Sequence, residues 1–120
     1  MGFMNRRKYE RIEVNIPGFI LNIEDFNVIA KIKNISEDGL RLSINKNRNI
    51  TKDIDKGDVL RFSFNDSFEL DGEEVSFVVE VDCKVMFLDE TDHHYIFGCH
   101  IESEEYFDYV IKKKRSESGD

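Results

Sequence analysis

Apolar and polar residues alternate with period two through most of this sequence. That rhythm constrains the fold more than any other feature. Successive side chains of a β-strand leave opposite faces, so it describes strands with one buried and one solvated side. In "RIEVNIPGFILNI" (11–23), Ile12, Val14 and Ile16 alternate with polar partners. Pro17 and Gly18 then mark a bend or bulge, because proline cannot donate to a ladder. "VIAKIKNI" (28–35) sets Val28, Ala30 and Ile32 against lysines, and "GLRLSI" (39–44) sets Leu40, Leu42 and Ile44 on one face. "VLRFSF" (59–64) resumes the pattern. "VSFVVEVDCKVMFL" (75–88) turns Phe77, Val79, Val81, Cys83, Val85 and Phe87 inward, and "YIFGCHI" (95–101) groups Tyr95, Phe97, Cys99 and Ile101.

The connections are polar. Residues 24–27 and 89–94 read as turns, 45–57 as a long loop, and 65–74 as a connection with an Asp-Gly turn signal. After the last strand the period changes. Ser103 can cap a helix in which Glu104, Glu105 and Asp108 come early and Lys112 to Arg115 come late, as the helix dipole favours. Tyr106 or Phe107, with Val110 and Ile111, supplies its apolar stripe. The "KKKR" stretch reads as the helix terminus followed by a solvated end. Six strands with short turns and one closing helix predict an all-β fold: a six-stranded antiparallel β-barrel with a C-terminal α-helix. The 120 residues are expected to form a single domain, 1–120. Its core covers about 6–112, with a flexible N-terminal arm, 1–10, and a C-terminal tail, 113–120.

Charge is distributed unevenly along the chain. "RRKYER" (6–11) carries four positive charges in six residues, whereas residues 12–111 hold 9 basic and 22 acidic residues, a balance of −13. An acidic body is a poor general grip on DNA or RNA, which needs a broad basic face. A small anionic ligand at one basic spot remains compatible with it. No apolar run approaches the ~20 residues of a membrane span, and "MGFM" is too short for a signal-peptide apolar region. Two cysteines, Cys83 and Cys99, make no disulfide framework. Together these features suggest a cytoplasmic protein.

Arg7 and Arg11 are four residues apart, so they share a side in either a strand or a helix. A guanidinium can clamp a phosphate through two parallel hydrogen bonds or stack flat on an aromatic base. Two on one side therefore suit an anion that also carries a flat ring. Taken alone, the hexapeptide also reads as a solvated basic leader. A second motif, "NISEDG" (34–39), lies at the junction of two strands. Asn34 and Ser36 leave the strand on one face, and Gly39 can adopt positive φ, close the turn and leave room for a ligand. Alone, it reads as an ordinary hairpin turn.

In combination, an R-x-x-x-R string before the first strand and an N-x-S-x-x-G turn two strands later resemble the PilZ domain family. The resemblance covers roughly residues 4–112 and includes Gly98 in the last strand. It implies a PilZ-like six-stranded barrel that binds cyclic di-GMP, a bacterial second messenger. Arg7 and Arg11 would hold phosphates and stack on guanine, and Arg6 would add a third contact. Asn34 would meet a guanine edge, Ser36 would bond phosphate or ribose, and Gly39 would let the turn close. Members of the family often have Asp in place of Asn34. Asn has one acceptor oxygen and an amide donor, so it would donate to guanine O6 or N7 instead. Arg41, two residues past Gly39, faces the same outer surface and is a further candidate.

Other chemistry is poorly supported. His93 and His94 are adjacent, as are Cys99 and His100, so each pair splits between opposite faces. No metal-ligand spacing appears. Ser36 has no histidine near it in sequence and no nucleophile elbow around it. The expectation is a receptor and adaptor, not an enzyme. It has no cofactor or metal, takes cyclic di-GMP as ligand and passes the signal to a downstream protein partner. It is not expected to bind DNA or RNA or to span a membrane. The rival is a module of the same fold that binds proteins and no nucleotide.

Overall fold

The inward residues of the alternation close into one buried cluster. Ile20, Ile32, Leu40, Leu42, Ile44, Leu60 and Phe62 are each at most 1% exposed. Each buried side chain of this kind contributes about 1.5–3 kcal/mol relative to exposure. The computed structural model describes residues 9–46 and 53–117. It contains β1 (Ile12–Ile20), β2 (Val28–Ser36), β3 (Gly39–Asn45), β4 (Val59–Leu70), β5 (Glu73–Glu90), β6 (His94–His100) and α1 (Glu104–Glu117). The sheet order is β1-β2-β3-β6-β5-β4, with every pairing antiparallel. Pairing of Gly18, Phe19 and Ile20 with Phe64, Ser63 and Phe62 joins β1 to β4 and closes the barrel. No described helix is long and apolar enough to cross a membrane.

Closure explains the proline and glycine of β1. Pro17 pairs with Lys31 of β2, and pairing to β4 begins only at Gly18. The missing N–H thus falls where β1 has a single neighbour. A Cβ at Gly18 would lie 2.4 Å from the Phe62 ring and 2.6 Å from the Ser63 carbonyl oxygen. The register irregularity lies upstream, between Glu13 and Ile16, and not at the Pro17–Gly18 pair.

Two strands depart from the sequence reading. The 65–74 connection is mostly strand. β4 and β5 pair residue for residue from Val59↔Lys84 to Leu70↔Glu73. Only Asp71 (φ 54°) and Gly72 (φ 83°) form the turn, with the left-handed pair of a type I′ hairpin. The polar residues there hid the strand, because only Phe68 and Phe77 of this arm reach the core, where they pack beside Tyr109. In β5 the register shifts between Val85 and Phe87, so Phe87 pairs with Gly98 of β6. The expected inward Phe87 is instead 38% exposed. A bulge inserts one extra residue and flips the face of everything after it.

The helix begins as expected, with the Tyr106 amide donating to Ser103 Oγ at 3.1 Å. It runs to Glu117, and its buried face is Tyr106, Tyr109 and Val110, whereas Phe107 and Ile111 are exposed. Tyr109 packs edge-on against Phe64 and Phe77, with ring centroids 5.3 Å away in each case, and donates to Asp66 Oδ2 at 2.8 Å. Tyr106 donates to the Gly39 carbonyl at 2.6 Å. The basic end of the helix is engaged with the rest of the fold. Lys113 pairs with Asp66 at 3.0 Å, Lys114 with Glu37 at 2.8 Å and Arg115 with Asp71 at 2.7 Å. The first two pairs are largely shielded from water, which limits screening.

Cys83 and Cys99 are buried free thiols. A hydrogen bond with Cys99, reinforced by burial, holds the Cys83 thiol well above its ordinary value, so it packs as an unreactive core group.

Burial, chiefly, raises the Tyr106 and Tyr109 phenols above their ordinary value near 10. A raised folded-state value favours the protonated form in the native state. Stability is then fully present below the unfolded value and lost as pH rises through the folded ones. Two of the four tyrosines should therefore ionise only as the protein unfolds in alkali, seen as a late step in tyrosinate absorbance coincident with loss of circular dichroism. All four ionising together near pH 10 in folded protein would contradict this packing. Gly39 tests the β3–β6 junction. A Cβ there would lie 2.3 Å from the Cys99 carbonyl oxygen, a backbone atom held in the ladder. Gly39→Ala should cost about 1–3 kcal/mol, read as a lower urea midpoint at unchanged slope.

Candidate ligand-binding site

The Glu37–Asp38 connection between β2 and β3 has two residues, yet neither has positive φ. Such a connection twists the wrong way for its strands, and it is held from outside. Ser36 Oγ donates to Asp38 Oδ1 at 3.0 Å, and the Ile101 amide donates to the Asp38 carbonyl at 2.9 Å. Lys114 Nζ holds Glu37. Gly39 is absent from the positive-φ residues, which corrects the expected role of that glycine. Its lack of a side chain admits the Cys99 carbonyl, and the space beside it is filled by β6.

Asn34 reaches the outer wall through a second irregularity. The β2–β3 register shifts between Ile32 and Asn34, so that Ile32 and Ile35, three apart, are both fully buried. Strict alternation from Ile32 would have turned Asn34 inward. Asn34 pairs with Glu13 on one side and Arg41 on the other. It is 8% exposed, and its Oδ1 accepts from the Arg11 guanidinium at 2.8 Å. This bond uses the one acceptor oxygen of the amide and leaves its nitrogen as a donor.

Arg41 continues the row. It pairs with Gly98 of β6, and Gly98 pairs with Phe87 of β5. The Phe87 ring lies over Gly98, where a Cβ would meet it at 2.7 Å. The Arg41 guanidinium carbon stands 5.2 Å from the centre of the same ring. Arg11, Asn34, Arg41 and Phe87 thus form a band across four strands. It offers two guanidinium groups, an amide and an aromatic face. Sequence reading missed Phe87, because only the register shift brings it outside. A bulky residue opposite Gly98 was the available signal.

Of the expected site residues, Arg11, Asn34, Ser36, Gly39 and Arg41 fall on this wall or its turn. Arg6 and Arg7 lie outside the described residues. Ser36 is 1% exposed, with its hydroxyl engaged by Asp38. Among the described residues no group of three or more His, Cys, Asp or Glu could hold a metal ion. His100 pairs with Glu102 at 3.3 Å. A cleft of about 510 Å³ lies elsewhere, lined by Ile44, Leu88 and Phe97 together with Asp53, Asp55, Asp89 and Glu90. Its carboxylates carry the wrong sign for a phosphate ligand, which leaves the open basic wall as the candidate.

A family model for the PilZ domain matches residues 5–106. No curated protein matches the sequence. Among solved structures, the Bacillus subtilis inhibitor of motility (MotI/DgrA) superposes with a TM-score of 0.67 at 17% identity, over 92% of this chain and 52% of that one. The Escherichia coli YcgR complex with c-di-GMP gives 0.66 at 13% identity, over 97% and 47%. The PilZ domain of YcgR with c-di-GMP gives 0.68 at 12%, over 95% and 94%. The chain therefore spans about half the length of the first two and nearly all of the isolated domain. The family match covers most of the sequence, the barrel is shared, and this chain belongs to the PilZ domain family.

Proposed function

We propose that this chain is a receptor for cyclic di-GMP, gripped between the arginine segment and the outer wall of β2, β3 and β6. The observation that carries the reading is the 2.8 Å bond from Arg11 to Asn34, 23 residues apart in sequence. It supports a common site for the two motifs. The likeness to a PilZ domain with c-di-GMP supports the choice of ligand. Arg7 and Arg11 clamp phosphate and stack on guanine, Arg6 adds a contact, and Arg41 extends the cationic face. Asn34 donates to guanine O6 or N7, and Ser36 and Gly39 shape the corner on which the ligand rests.

The proposed role is that of a cytoplasmic adaptor and not an enzyme. A ligand-dependent surface then passes to a protein partner. The likeness to an inhibitor of motility, a protein named for its effect on another system, supports an adaptor role.

Calorimetric titration with cyclic di-GMP tests the reading. Binding at micromolar concentration or tighter is expected. A charge-assisted hydrogen bond is worth about 1.5–3 kcal/mol, or roughly 10- to 150-fold, so Arg11→Ala and Arg7→Ala should each weaken binding by at least tenfold. Absence of heat from folded protein would favour the nucleotide-free interaction module. Affinity should also fall as salt rises from 0.05 to 0.5 M, estimates bracketing Debye lengths of roughly 14 to 4 Å. A flat response would mean that the arginines contribute little.

A further inference from the structure

The C-terminal helix touches both motif-bearing segments. Lys114 Nζ donates to Glu37 Oε1, inside the N-x-S-x-x-G turn, at 2.8 Å and also to the carbonyl oxygen of Glu10, the residue before Arg11. One turn from the start of the same helix, the Phe107 ring meets Tyr9 edge-on with centroids 6.2 Å apart. Tyr106 holds the Gly39 carbonyl. Tyr9, Glu10 and Arg11 are therefore fixed in succession to Phe107, Lys114 and Asn34. The Lys114–Glu37 pair is shielded, with side-chain exposures of 22% and 10%.

We propose that Lys114 is a positioning residue for cyclic di-GMP and that α1 is part of the binding machinery, linked to ligand occupancy chiefly through this ammonium, which bonds both segments. The inference rests on the cyclic di-GMP reading of the site. Lys114 touches no ligand in this scheme. It holds the last arm residues and the turn in the relation that the Arg11–Asn34 bond requires. A ligand that grips both segments then meets them already aligned, and less ordering remains to oppose binding. The linkage is reciprocal. If docking of α1 strengthens ligand binding, ligand must strengthen docking of α1 by the same factor. Lysine suits this role because its three donors on one nitrogen can serve a carboxylate and a carbonyl together.

The test uses the full chain, with three variants measured beside the wild type. Lys114→Met keeps the apolar stem and removes the charge. Glu37→Gln breaks the same pair from the other side. The double variant closes a thermodynamic cycle. Titration with cyclic di-GMP should show affinity about tenfold weaker in each single variant, within the usual range of couplings. The double variant should be little worse than either. Hydrogen exchange supplies the second readout. Saturating ligand should slow exchange of the 104–117 amides in wild type and lose that effect in Lys114→Met. A helix pin with a structural role only would lower the melting temperature and leave affinity and the ligand-induced protection unchanged, which overturns the proposal. Should Lys114→Met fail to fold, Glu37→Gln carries the same test. Failure of folded wild type to bind overturns the function reading and this inference together. Wild-type binding with unaltered variants overturns this inference alone.

Discussion

The Glu37–Asp38 turn is held in place by contacts beyond its own backbone, two of them from outside its hairpin. Its backbone lacks the positive φ values that match a two-residue connection to twisted strands. The Ile101 amide, the Lys114 ammonium and the Ser36 hydroxyl compensate. The first two come from the residue after β6 and from α1, and the third from β2 of the hairpin itself. Two residues before Ser36, Asn34 meets Arg11.

Much of this was legible in the sequence. The six strands followed from alternation, because burial on one side of a sheet imposes a strict period. The helix followed from Ser103, the early acids and the late bases. The departures share a physical cause. Irregularities near Glu13, Asn34 and Phe87 each change which face a residue occupies, and a period-two reading carries no term for an inserted residue. Phe87 was assigned to the core for that reason. The β4–β5 arm was hidden differently. Its strands pair with each other through mostly polar residues, so the ladder continues where the hydrophobic pattern thins.

The candidate site was legible as residue types and not as geometry. Asn34, Ser36 and Gly39 stand at the turn, but Gly39 is small because a neighbouring carbonyl occupies its side-chain space. The two possible reasons for a glycine look identical in one sequence. The role of the helix was not visible either. A run of Lys and Arg at a helix end reads as solvated, and only tertiary contacts show that Lys113, Lys114 and Arg115 reach Asp66, Glu37 and Asp71. Part of the acidic surplus of the body thus meets its counter-charge at the end of α1.

The β4–β5 arm leaves ladder edges without a neighbour. Pairing to β1 covers β4 only at Phe62–Phe64, and pairing to β6 covers β5 only from Lys84 onward. Residues 65–83 contain seven acidic side chains and no lysine or arginine. Open strand edges invite strands from other copies, and like charge is one way to refuse them. Four of the seven are ion-paired, Asp66 with Lys113, Asp71 with Arg115, and Glu80 and Asp82 with Arg61, which leaves Glu69, Glu73 and Glu74 at the tip as the charged guard on an otherwise open ladder.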